Sequence, residues 1–329
     1  MKRRLFLKTL ATATASLPAA GFSAKPDAND WEITPIPLPG VPPAITPRCQ
    51  AIFVEKNILW ALHGQEMYFK TVDSEEWQNY YIDYAAGTPY CFYAVPDEKK
   101  SPPARTIYLA EWRKTPESNF IRRVDGGDTK EDSYITLNQP SRLTSLLLTE
   151  DENGSPTLFA ADAAQRNVLR YDADGKFMHR LYADGELIVP SPYLAMCVGR
   201  DGLLRVVNPG RHRVEAFHVR ADSTPQEKSL TWGTESKTPE GFAGCCNPAW
   251  LAVTESGNFF TSEKRFLRLK LHDPEGNFLE EVPLPPKEKN VVTEGYPVAA
   301  EGENLYVLDT NANAVYRYAK TGNAGVPPA

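Results

Sequence analysis

The chain has 329 residues, with 42 acidic against 36 basic side chains and a formal net charge of −6. An acidic surface repels phosphate backbones, and no basic stripe interleaves with aromatics, so nucleic acid is not an expected partner. Its five cysteines are too few for a disulfide scaffold and odd in number, so at least one thiol stays unpaired within the chain.

The first residues are basic, and Thr9 to Ala24 are apolar or small without a charge. This pattern predicts a removable export leader over residues 1–24, too short and too rich in Ala and Thr for a membrane span. Arg3-Arg4-Leu5-Phe6-Leu7-Lys8 resembles the twin-arginine export motif. Loss of Lys2, Arg3, Arg4 and Lys8 with the leader takes four positive charges from −6, to −10. The expected location is periplasmic or secreted. Residues 25–44 follow as an N-terminal segment. Within it, Trp31 to Leu38 carries Pro35 and Pro37 and reads as a sheet-edge strand.

From residue 45 to 320 a single grammar repeats. A short apolar strand follows a proline, at Pro47, Pro89, Pro140, Pro192, Pro248 and Pro297. Next comes a turn with Gly, then a second strand ending in a polar residue, then a third strand of alternating pattern. The second-strand ends are His63, Glu111, Asp162, Asn208, Glu263 and Asp309, about 49 residues apart, which is the spacing of four-stranded propeller blades. The expected fold is therefore all-β, a six-bladed β-propeller. Its last blade lacks an outer strand, which the Trp31–Leu38 segment is expected to supply, closing the ring; residues 321–329 form a tail.

Leu158-Phe-Ala-Ala-Asp162 followed by Asn167-Val-Leu-Arg-Tyr-Asp172 resembles the NHL repeat, and the likeness runs through the propeller. Gly241-Phe-Ala-Gly-Cys-Cys-Asn-Pro248 with Thr261-Ser-Glu-Lys264 is similar to a subgroup of exported bacterial NHL-repeat proteins without an established activity. The resemblance implies the fold and leaves the activity open. Related propellers include lactonases and a peptide-amidating lyase, so a metal-dependent enzyme with its site in the central channel is the alternative to a binding module.

Two sets of residues are candidates for a site. The first lies at the channel mouth, where chains enter innermost strands. It comprises Cys245, Cys246 and Asn247, the downstream pair Glu263 and Lys264, and Trp250, Arg142, Tyr193 and Tyr90 beside the blade-starting prolines. Aromatics with a cation suit a sugar or other small polar ligand, and equally suit packing between blades. Neighbouring Cα atoms are about 3.8 Å apart, so a Cys245–Cys246 disulfide would be strained and comparatively reducible. Otherwise one thiol is buried and the other faces solvent. Glu263 beside Lys264 reads as a general base or as an ordinary ion pair.

The second set is the ring of strand ends, His63, Glu111, Asp162, Asn208, Glu263 and Asp309. Its oxygens and imidazole would suit Ca²⁺ or Zn²⁺, or would cap the backbone of each turn. Binding of a protein, glycan or small polar ligand outside the cytoplasm is the expected function.

Overall fold

A computed structural model describes residues 30–39, 49–63, 66–80, 88–97, 99, 103–112, 120–125, 132–137, 139–222, 228–286 and 295–321. Residues 1–24, expected as a leader, and all but the first residue of the expected tail lie outside them. The described residues form six four-stranded antiparallel sheets.

Blade 1 comprises β2 (Cys49–Glu55), β3 (Ile58–His63), β4 (Glu66–Thr71) and β5 (Gln78–Tyr80). Blade 2 comprises β6 (Thr88–Pro96), β7 (Ala104–Trp112), β8 (Phe120–Asp125) and β9 (Ser133–Thr136). Blade 3 comprises β10 (Leu143–Glu150), β11 (Pro156–Asp162), β12 (Asn167–Asp172) and β13 (Phe177–Arg180). Blade 4 comprises β14 (Met196–Val198), β15 (Leu204–Asn208), β16 (Arg213–Phe217) and β17 (Lys228–Trp232). Blade 5 comprises β18 (Trp250–Val253), β19 (Phe259–Glu263), β20 (Arg268–His272) and β21 (Phe278–Val282). Blade 6 takes β22 (Val298–Glu301), β23 (Asn304–Asp309) and β24 (Ala314–Lys320) from the C-terminal end and β1 (Trp31–Pro37) from the N-terminal end.

The expected closure is present. β1 runs antiparallel to β24 in a register from Trp31 opposite Lys320 to Pro37 opposite Ala314. It is the outermost strand of its sheet, where a proline leaves no ladder bond unmade on the solvent side. The first strands touch one another round the whole ring, β2 to β6, β10, β14, β18, β22 and back to β2. These six therefore surround the axis.

The turns explain much of the polar periodicity. In blade 3 the Asp172 carboxylate accepts from the backbone N–H of Asp174 and Lys176, and Gly175 takes φ +80°. Blade 5 repeats this at Asp273 and Gly276, with φ +89° at the glycine. A register shift accompanies each turn, a local irregularity that increases the twist between the third and fourth strands. A Cβ on Gly276 would fall on the Trp232 ring of blade 4. Glycine thus serves both the turn and the close approach of neighbouring blades.

The core is distributed between the sheets. Trp60, fully buried, packs at 5.0 Å from Phe69 and 5.7 Å from Tyr80, in a cluster that reaches Phe92 of blade 2. Trp232 packs against Phe242 and Phe259, joining blades 4 and 5. Alternation along each strand presents one apolar face to each neighbouring blade, so a disc of sheets is buried on both sides. Among the described residues no helix is long and apolar enough to cross a membrane.

Candidate functional site at the junction of blades 4 and 5

The chain enters β18 through Gly244 to Pro248, and Gly244 turns it at φ +75°. Asn247 is buried, and its side chain fastens this approach to the turn that follows β19. Its Oδ1 accepts from Lys264 N at 2.9 Å, and its Nδ2 donates to Lys264 O at 3.2 Å and Ala243 O at 2.5 Å. With both ends of the amide engaged, Asn247 positions the loop.

Glu263 performs a similar task on the other side of the same turn. It is completely buried; Oε2 accepts from Ala243 N and Arg268 Nη2, both at 2.8 Å, and Oε1 lies 2.5 Å from Lys270 Nζ. Lys270 also donates to Gly241 O at 2.5 Å and lies over the Phe242 ring. The carboxylate ties the 241–244 loop to β20. The expectation that Glu263 pairs with Lys264 is corrected: adjacent residues leave the chain in opposite directions, and each has found partners on its own side.

Lys264 reaches instead toward blade 4. Its Nζ donates to Ser191 Oγ at 2.6 Å and lies 4.8 Å from the Tyr193 ring centroid. Tyr193 meets Trp250, the first residue of β18, edge to face at 4.9 Å. A Cβ on Gly295 would collide with the Trp250 ring, so the approach to blade 6 closes down on the same corner.

Cys246 is buried against this group, while Cys245 is exposed with its Sγ 2.9 Å from that of Cys246. Burial pushes the Cys246 thiol up, but hydrogen bonds from Cys245 and Ser191 and the Lys264 ammonium outweigh it, so the thiol titrates below its ordinary range. Its hydrogen bond with Cys246 moves Cys245 the other way. Burial pushes the Cys197 thiol up to about 12 and the Cys91 thiol higher still.

Five of the expected mouth residues, Cys245, Cys246, Lys264, Tyr193 and Trp250, thus converge on one corner, with Asn247 bracing it. Tyr90 and Arg142 are elsewhere. The Tyr90 hydroxyl accepts from Leu143 N at 3.2 Å and bridges blades 2 and 3, and Arg142 engages Asp162 through its backbone N–H at 3.0 Å. Ser191 escaped the sequence reading because it belongs to the preceding blade, and nothing in the local pattern says which way it faces. Phe266 did too; it is 58% exposed and stands beside Gly244.

The ring of strand ends does not assemble a cation site. These residues end second strands, each about 4.8 Å outward from the strand that lines the axis. Asp162 accepts from the N–H of Arg142, Ala164 and Gln165, and Asp309 from Asn311 and Ala312. Asn208 accepts from Ile188 N and donates to Glu186 O. Glu111 faces Arg122 at 3.5 Å, and His63 is buried edge to face with Tyr68 at 6.5 Å. Among the described residues no three His, Cys, Asp or Glu side chains group as metal ligands. Among the described residues the ring donors therefore do not come together as a set that could hold Ca²⁺ or Zn²⁺.

Neither a family model nor a curated protein matches the chain. Solved structures do match by shape. A structural genomics protein of unknown function from Bacteroides thetaiotaomicron shares 14% identity at a TM-score of 0.57, covering 88% of this chain and 76% of that one. Virginiamycin B lyase from Staphylococcus aureus shares 13% at 0.53, covering 88% and 99%. Regucalcin from Agrobacterium tumefaciens, a calcium-binding protein, shares 12% at 0.53, covering 84% and 92%. The chain is a six-bladed β-propeller by fold, and the propellers of similar shape include an enzyme and a binding protein.

Proposed function

We propose that this chain is an exported, NHL-type propeller that binds a glycan or other small polar ligand at the channel mouth where blades 4 and 5 meet. The observation that carries the reading is the corner formed by Lys264, Ser191, Tyr193 and Trp250. Aromatic rings offer apolar faces for C–H surfaces, and a hydroxyl and an ammonium offer hydrogen bonds and charge. A small polar ligand needs this combination, in which few polar groups fix orientation and the rings exclude water. The ammonium favours a ligand with a carboxylate or another anionic group.

Retention of the mature protein on immobilised acidic and neutral glycans tests this. Binding by the parent chain and a tenfold or greater loss in Trp250→Ala and Lys264→Gln supports the corner as the site. Equal retention by the variants refutes it. Export is supported by the Arg3-Arg4-Leu5-Phe6-Leu7-Lys8 leader. Replacing Arg3 and Arg4 by Lys should hold the uncleaved chain in the cytoplasm, and unchanged export would refute the twin-arginine route.

A further inference from the structure

The corner contains more than a binding site needs. Two thiols stand 2.9 Å apart, one exposed and one buried, and the buried one faces a lysine ammonium that Ser191 holds in place. We propose that Cys245 and Cys246 form a thiol–disulfide exchange site that oxidises paired cysteines of a polypeptide, with Cys245 as the sulfur attacked and Cys246 as the departing thiolate.

The division of labour follows from position. Exchange requires an incoming thiolate to reach one sulfur, and the other to leave with the electron pair. Cys245 is the reachable sulfur, and Cys246 is the better leaving group because a cation and a hydroxyl already surround it. Stabilising the departing thiolate stabilises the reduced pair, which makes its disulfide an oxidant. Phe266 stands exposed beside this turn, offering an apolar contact for the chain that flanks an incoming cysteine.

The chemistry balances as follows. A deprotonated substrate thiol attacks Cys245 Sγ, the Cys245–Cys246 bond breaks, and its electron pair remains on Cys246. The second substrate thiolate then attacks its own partner sulfur in the mixed disulfide. The substrate disulfide forms, and Cys245 leaves and takes a proton from water. The substrate loses two electrons and two protons, and the protein pair gains the electrons. A low-molecular-weight disulfide regenerates the protein disulfide by the same exchange in reverse, leaving as two thiols.

The test uses the mature protein treated with oxidised glutathione and then mixed with a reduced peptide that carries two cysteines beside a phenylalanine. Free thiols are alkylated and mapped by mass spectrometry. The parent chain should form the Cys245–Cys246 disulfide, oxidise the peptide, and end with both thiols alkylatable. Cys246→Ser should stop at a glutathione adduct on Cys245, and Cys245→Ser, altered only at an exposed side chain, should not react. Lys264→Gln should slow peptide oxidation, because a leaving thiol of higher pKa departs more slowly, and Lys264→Arg should restore the rate. A parent chain that keeps both thiols after glutathione treatment, or that keeps the adduct as Cys246→Ser does, overturns the proposal. An unchanged rate in Lys264→Gln overturns the part given to the lysine. The assay contains no glycan, so its outcome is independent of the binding reading.

Discussion

Glu263→Gln is the most informative single substitution for the architecture of the site. The variant keeps an oxygen for Ala243 N and removes the negative charge that faces Lys270 at 2.5 Å and Arg268 at 2.8 Å. Lys270 is completely buried, so its ammonium would lose the carboxylate it is paired with. Breaking a buried pair from one side costs about 3–5 kcal/mol, and at roughly 2–4 °C per kcal/mol for a large domain this lowers Tm by about 6–20 °C. Urea denaturation at neutral pH reads the loss directly.

The pH dependence supplies a second check. Burial already holds the Lys270 pKa below its ordinary value of 10.5, and loss of Glu263 lowers it further. The native variant then binds fewer protons than the unfolded chain over a wider range below 10.5, so its stability rises with pH there more steeply than the parent's. Adding Lys270→Met removes the stranded charge and should recover at least half of the loss. A deficit under about 1 kcal/mol, typical of an exposed pair, together with a pH slope equal to the parent's, would refute the assignment of Glu263 as the brace of this loop.

Other outcomes follow from the same structure. Gly276→Ala should cost several times more than Gly202→Ala. Both glycines have positive φ, at +89° and +74°, but only Gly276 has the Trp232 ring where a Cβ would go. Thermal unfolding of the two variants compares them, and equal losses would contradict the inter-blade contact. Deleting residues 30–37 removes the outer strand of blade 6 and exposes the edge of β24; Tm should fall and light scattering should reveal association through the open edge. His272 is buried, and burial first and then Lys270 depress its pKa from 6.5 to about 3. Its stability contribution is therefore complete above pH 6.5 and lost as pH falls from there toward 3. His272→Phe should flatten that part of the acid-denaturation curve, and an unchanged curve would show that the ring is not held neutral.

The architecture was legible because a blade is a local object. Strand alternation, Asp–Gly turns and the 49-residue period are set by neighbours in the chain, and closure by Trp31–Pro37 followed from counting strands in the last blade. The polar strand ends were equally visible, and their repetition alone suggested turn-capping, as Asp162 and Asp309 show. Which side chains meet across blades was not legible. Ser191 and Lys264 are 73 residues apart, and adjacent Glu263 and Lys264 serve opposite sides of one turn. Sequence periodicity thus determined the fold and the face on which the candidates lie. Only the packing of blade 4 against blade 5 separated the residues that brace the corner from those that form it, because that contact depends on strand twist and side-chain direction, which no local pattern encodes.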